Sequence, residues 1–122
     1  MNSIESFIKR SGSEDWEELA EDGVVYDGVY IKSLRFDGRT NRSPTILIRF
    51  DPGASYPYHD HPAGEEIYVL QGEVIIEDAV LREGDYLYTP PGFRHGVRSE
   101  KGCVLLACIP EEVKKVQREQ GS

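Results

Sequence analysis

The chain has 122 residues, of which 22 are acidic and 14 basic, and its formal net charge is -8. A chain of this length buries one core and is too short for two, so we expect a single domain. The excess of negative charge repels phosphate backbones and anionic lipid surfaces, which argues against nucleic acid and membrane as partners. No stretch approaches the roughly 20 apolar residues of a membrane span, and the N-terminus lacks the apolar core of a signal peptide. We therefore expect a cytoplasmic protein.

The first predicted element is a helix in the N-terminal stretch SEDWEELA. Ser13 can cap it, acidic residues follow in the first turn, and Trp16, Leu19 and Ala20 recur at helical spacing. We expect residues 1–23 to form an arm whose short helix lies on the core.

The middle of the chain has the pattern of an all-β domain. Short apolar or β-branched runs are separated by turns rich in Gly, Pro and Asp; the runs are VVYDGVYIKSL, TILIRF, EIYVL, VIIE, YLYT and CVLLACI. This rhythm is typical of a sandwich or barrel, and we assign it to residues 24–109.

The last predicted segment is residues 110–122. Pro110 suits a helix start, acids precede bases, and Val113 and Val116 are the apolar side chains of PEEVKKVQREQ. A helix with so little apolar surface is marginal by itself, so we expect a helical or frayed tail, or an arm that docks on the barrel.

Two of the three histidines lie one residue apart in YHDHPAGEE. Alternate residues of a strand share a face, so His59 and His61 should project together while Asp60 points away. Pro-Ala-Gly can turn the chain back, and alternation then lets only one of Glu65 and Glu66 face the same interior.

The third histidine, His95, follows the rigid turn PPGFR, which can return a strand to that interior. Three imidazoles and a carboxylate would then converge. Such donors suit Fe, Mn, Ni, Cu or Zn.

Two stretches resemble the motifs of the cupin superfamily. GASYPYHDHPAGEEIYVLQG is similar to the first motif, from Gly53 through the His-x-His pair to Gly72, and GDYLYTPPGFRHGVRS is similar to the second, from Gly84 to His95. The position that closes the second motif is Ser99, where the family pattern has Asn. The short spacing between the motifs and the phrase PPGFRHGVRSEKGC most resemble the ChrR-type cupins, named for the cupin half of an anti-sigma factor.

The resemblance implies a small jelly-roll β-barrel that holds one divalent metal ion, Fe, Mn, Zn or Ni. The implied ligands are His59, His61, Glu65 and His95. Glu65 is selected over Glu66 because only Glu65 leaves the six residues that the motif places before Gly72.

Two functions remain open on these residues. The first is a metalloenzyme of the dioxygenase type that acts on a diketone, hydroxyketone or phenolic compound, a chemistry known among similar cupins. The second is a ligand-binding or sensor cupin related to the anti-sigma domain. The zinc-binding sigma-capturing half of that family has no counterpart in residues 1–23, which hold no His or Cys. No catalytic acid or base can be assigned, and no organic cofactor is indicated.

We also expect part of the outer face of the barrel to be covered. EIYVL is apolar on both faces, whereas a strand with one wet face should alternate. A second copy of the chain or the helix around Trp16 would cover it, and we hypothesise a homodimer.

The tyrosines, including Tyr56, Tyr58 and Tyr68, are assigned to packing, and Gly53, Gly72, Gly84 and Gly92 to turns that need positive φ.

Overall fold

Ten strands run through residues 3–118, the part of the chain that the computed structural model describes. Their bounds are β1 Glu17–Glu21, β2 Val24–Asp37, β3 Arg42–Phe50, β4 Ser55–Asp60, β5 Glu65–Ile76, β6 Ala79–Arg82, β7 Tyr86–Thr89, β8 His95–Arg98, β9 Cys103–Cys108 and β10 Lys114–Lys115. The expected all-β barrel is confirmed. Between Ser3 and Arg118 no helix has the length and apolarity needed to cross a membrane.

The strands pair antiparallel in the order β1-β2-β3-β9-β5-β8-β4-β10, and β6 and β7 also pair with β5. β5 connects the two halves of the barrel: its first half pairs with β7 and β9, and its second half pairs with β6 and β8. The sheet can therefore curl around one interior.

The interior is filled by alternate residues of the strands. Glu65, Ile67 and Val69 of β5 are buried, while Tyr68 and Leu70 are exposed. This parity is the one predicted from the sequence. Much of the rest of the core comes from three other strands and from further along β5, with buried Val29, Phe50, Leu105 and Val74. Burial of this core provides the main driving force for folding.

The predicted N-terminal helix is wrong. Residues Glu17–Glu21 form β1, which pairs with β2, and helical structure before it consists of two short 3-10 turns at Ile4–Phe7 and Ser11–Ser13. The ladder with β2 satisfies the backbone groups of β1 and places Leu19 against the core. These tertiary contacts outweigh the weak helical preference of the local sequence.

Of the alternatives expected for the tail, the helix is not formed over residues 110–118, and the segment docks on the barrel as an arm. Lys114 and Lys115 pair with Asp60 and His59 of β4, and the Val116 amide donates to the Tyr58 carbonyl. Pairing with an open strand edge satisfies more backbone groups than a marginal helix could. Residues 119–122 lie outside the described residues, and the division at residues 23 and 110 stays a prediction.

Gly72 lies where β5 passes closest to the turn before β9. Its φ is +77°, and a Cβ atom there would lie 2.1 Å from the Gly102 carbonyl oxygen. Positive φ is also present at Gly53, Gly84 and Gly92, as predicted. At Gly72 the absence of a side chain is required both by φ and by the close approach of the backbone.

Candidate metal centre

Four buried side chains meet in the barrel interior: His59, His61, Glu65 and His95. One possible ligand atom from each lies within 4.8 Å of the others. Nitrogen and oxygen donors around a single ion lie about 2.0–2.2 Å from it, so donors across the ion are separated by up to about twice that distance. Small side-chain adjustments would place all four atoms around one ion.

Three elements position these side chains. His59 lies in β4 directly opposite His95 of β8, and the two rings are 4.9 Å apart between centroids. His61 follows the end of β4 in a turn closed by the Gly64 amide, and Glu65 begins β5. As alternation predicted, His59 and His61 project together. Their rings pack edge-on with centroids 4.4 Å apart, and Asp60 lies away from them near Arg94.

The side chain of His59 is oriented by the backbone. Its Nδ1 atom lies 2.7 Å from the Pro57 carbonyl oxygen, which can only accept, so Nδ1 carries the proton and Nε2 keeps its lone pair. Burial lowers the pKa of His59 to about 4. The ring is therefore neutral at physiological pH, the form in which imidazole binds a metal.

Glu65 is ionised at the centre of the cluster. Burial by itself raises its pKa, but the nearby His61 and His95 outweigh burial and hold the pKa at about 2. Its Oε1 atom lies 3.2 Å from His61 Nε2 and 3.4 Å from His95 Nε2. The carboxylate thus supplies a negative charge that a buried cation would neutralise.

Several buried polar atoms of the cluster have no hydrogen-bond partner. They are both ring nitrogens of His61, Nδ1 of His95 and Oε1 of Glu65. Glu65 Oε1 lies close to both rings, but neither contact has the geometry of a hydrogen bond. Buried polar atoms without partners are costly, and coordination to a metal would satisfy them. The residues present therefore fit a metal ion.

The cluster opens onto an interior cavity of about 540 Å³. His59 and Glu65 line it together with apolar side chains of β2, β3 and β9, among them Ile31, Ile48 and Leu105. An apolar cavity of this size with a few convergent polar groups is typical of a small-molecule site.

Sequence reasoning missed two residues of this cavity, Tyr56 and Glu21. Strict alternation places Tyr56, three residues before His59, on the other face of β4. A register shift between them brings both into the interior. Pro57 was the available signal, because proline within a strand often marks a bulge. Glu21 was assigned to the arm.

Tyr56 packs edge-on against the His59 ring, with centroids 4.9 Å apart, and donates a hydrogen bond of 2.5 Å to Glu21 Oε1. Burial and then this hydrogen bond raise the pKa of Tyr56 above its usual range, so the phenol keeps its proton.

Ser99 also has a clear role. Its hydroxyl donates to the Glu73 carbonyl, and its own carbonyl accepts from the Gly53 amide. Ser99, at the end of the second motif, thus ties the end of β8 to β5 and to the turn at Gly53.

The sequence profile of the ChrR cupin-like domain matches residues 5–110. Two curated relatives also match. The DNA damage-repair/toleration protein DRT102 of Arabidopsis thaliana is 36% identical over 63 residues, 46% of this chain and 20% of its own length. The 3-hydroxyanthranilate 3,4-dioxygenase of Ruegeria pomeroyi is 29% identical over 75 residues, 54% of this chain and 42% of its own length. The matched regions span less than half the length of either relative.

Similar solved structures confirm the fold. The polyketide cyclase RemF of Streptomyces resistomycificus has a TM-score of 0.69 at 22% identity, over 92% of this chain and 86% of its own. The acetylacetone dioxygenase of Acinetobacter johnsonii has a TM-score of 0.69 at 14% identity, over 84% of this chain and 72% of its own. The complex of Rhodobacter sphaeroides SigE with the anti-sigma ChrR has a TM-score of 0.63 at 25% identity, over 82% of this chain and 50% of the matched chain.

Proposed function

We propose that this chain, which belongs to the family of ChrR cupin-like domains, is a metal-dependent enzyme of the dioxygenase type. Its substrate would be a diketone, hydroxyketone or phenolic compound. The observation that carries the proposal is a set of four buried donors with unsatisfied polar atoms at one end of an apolar cavity.

In this proposal His59, His61, Glu65 and His95 hold one divalent ion, Fe, Mn, Zn or Ni. The ion, when bound, would supply Lewis acidity and, as iron, redox capacity. The chain would supply the rest: the Pro57 carbonyl fixes the tautomer and orientation of His59, and the near-complete burial of His61 and His95 keeps bulk water from the donors. The cavity would select apolar compounds of moderate size.

The names of two similar proteins support oxygen chemistry. One curated relative is a 3-hydroxyanthranilate 3,4-dioxygenase, and one protein of the same fold is an acetylacetone dioxygenase, whose substrate is a diketone. One fold serves many functions, so these names add weight only together with the donors and the cavity.

The test is elemental analysis of protein purified anaerobically without a metal-affinity resin, followed by oxygen uptake with diketones, hydroxyketones and phenols. We expect near-stoichiometric metal, and substrate-dependent oxygen consumption by the iron form. The control is His95→Ala, which should lose most of both. Full metal content without oxygen uptake in the iron form would overturn the enzyme proposal, and a metal-free native protein would overturn the site.

A second candidate is a metal-containing sensor. It is favoured by the similarity to ChrR, which is bound to SigE in the solved complex. The two candidates differ in turnover, because a sensor returns its ligand unchanged. A compound that binds near the metal and is recovered intact after long incubation in air would favour the sensor.

A further inference from the structure

The cavity beside the donors contains a polar pair that no metal-binding role requires. Tyr56 of β4 and Glu21 of β1 both line it, and the Tyr56 hydroxyl donates to the Glu21 carboxylate at 2.5 Å. The ring of Tyr56 lies against His59. The pair is therefore next to the position where a ligand at the metal would extend.

The direction of this hydrogen bond determines what the pair can offer a ligand. A phenol has one proton, and that of Tyr56 is engaged by Glu21. Towards the cavity the phenol oxygen therefore presents lone pairs. Glu21 has only acceptor atoms, and its charge is partly balanced by Lys115, whose Nζ lies 3.3 Å away.

Two donors of the cavity wall, on Arg42 and Ser43, are engaged elsewhere. The Arg42 guanidinium donates to the carbonyls of Ile109 and Pro110, and the hydroxyls of Ser33 and Ser43 share a hydrogen bond. Beside the His59 ring, the Tyr56 oxygen and the Glu21 carboxylate offer acceptors among apolar side chains.

We infer that the Tyr56–Glu21 pair selects a ligand that carries a hydroxyl hydrogen, a hydroxyketone or phenolic compound in preference to a diketone. The inference rests on the proposed function and narrows its substrate class. A ligand hydroxyl group donates to the Tyr56 oxygen, whose own proton is held by Glu21, and satisfies that acceptor. A ketone oxygen at the same position meets acceptors without a hydrogen between them. Sites built to bond a hydroxyl group discriminate strongly against analogues that lack it.

Matched pairs of compounds test the inference. Acetoin and diacetyl differ only in one hydroxyl group that is oxidised to a ketone, and benzoin and benzil differ in the same way with two phenyl rings. Both members of each pair can chelate a metal, and their intrinsic difference in chelation is common to all variants, so a change in the ratio on mutation reports the group that faces Tyr56. Calorimetric titration of zinc-loaded protein measures binding without redox turnover. We expect the hydroxyketone of each pair to bind about tenfold more tightly, the effect of one hydrogen bond to a polarised acceptor.

Three variants assign the preference to the pair. Tyr56→Phe should reduce the ratio of affinities within each pair to near one. Glu21→Ala frees the Tyr56 proton to point into the cavity and should shift the ratio towards the diketone. Tyr26→Phe is the matched control: Tyr26 packs against Tyr56 at 5.1 Å, and its hydroxyl is not needed for selection, so the native ratio should persist.

Zinc content, measured for every variant, separates the two proposals. Full zinc content with equal affinities for both members of a pair, or with a preference that survives Tyr56→Phe, would overturn the inference and leave the metal site intact. Failure of the native protein to retain zinc or iron would overturn the proposed function, and the inference with it.

Discussion

Glu65 and Glu66 are adjacent in the chain and have opposite surroundings. Glu65 is buried between His61 and His95, whereas Glu66 is exposed and accepts a hydrogen bond of 2.6 Å from Tyr86. Alternation along β5 alone separates them. The sequence-based prediction that only one of the two glutamates faces the interior is therefore confirmed.

The pair supports a matched test of the proposed ligand set. Glu65→Gln should lower both metal content and melting temperature, because it removes a charged donor and a metal that binds only the folded state stabilises that state. Glu66→Gln should leave metal content nearly unchanged. Elemental analysis and thermal unfolding with and without added metal measure both effects. Equal losses in the two variants would contradict the assignment of Glu65.

The pKa of His59 predicts how the metal-free protein responds to pH. It is about 4 in the folded chain against an ordinary value of 6.5, so between these values the unfolded chain binds more protons than the folded one. Stability should therefore rise with pH across this window and fall as the pH drops through it, by up to about 3 kcal/mol.

Urea unfolding of chelator-treated protein from pH 4 to pH 7 measures this slope. His59→Gln should flatten the part of it that comes from His59. A metal-free protein whose stability is constant across the window would show that the folded state accepts the proton on His59 without cost.

Glycines with positive φ differ in how well their positions tolerate a side chain. Gly72 and Gly84 both have positive φ, but only at Gly72 would a Cβ atom meet backbone. Gly84→Ala should cost about 1–3 kcal/mol through backbone strain alone.

Gly72→Ala should cost clearly more, because the Gly102 carbonyl oxygen must also move. Chemical denaturation of both variants gives the comparison. Similar losses would mean that the turn before β9 yields to the new methyl group.

At the scale of the element, β1 and β10 show that local sequence alone does not determine secondary structure. SEDWEELA has helical spacing, yet residues Glu17–Glu21 pair with β2, and Lys114 and Lys115 pair with β4. Periodicity describes which side chains can share a face, and it carries no information about a free strand edge elsewhere in the chain. The helix expected at β1 is wrong, whereas β10 forms the docking arm that was one alternative for the tail. Both strands lie at the ends of the strand order, where such edges are available.

One outer face of the whole molecule remains uncovered among the described residues. Tyr68 of β5 is 42% exposed, and Tyr86 and Tyr88 of β7 are 55% and 54% exposed. Of the two covers expected from the sequence, the helix does not form, and Trp16 lies instead against Lys32 and Arg49 of β2 and β3. A second copy of the chain remains our proposal for this face.

Sedimentation velocity at micromolar concentration tests the homodimer. Tyr68→Lys should shift the proposed dimer towards monomer, because a charge would replace an aromatic ring in the proposed interface. Val80→Lys, at an exposed apolar residue of β6 outside this face, should leave the dimer intact. A native protein that sediments as a monomer would refute the proposal.

The sequence by itself determined the all-β class and the convergence of His59, His61, Glu65 and His95. Alternation is a local property of strands, and motif spacing restricts which strands meet. Only the tertiary structure decided that β1 and β10 are strands and that Tyr56 and Glu21 share the cavity with the donors. These features depend on backbone pairing and on a bulge in β4, which are settled by contacts between residues far apart in the chain.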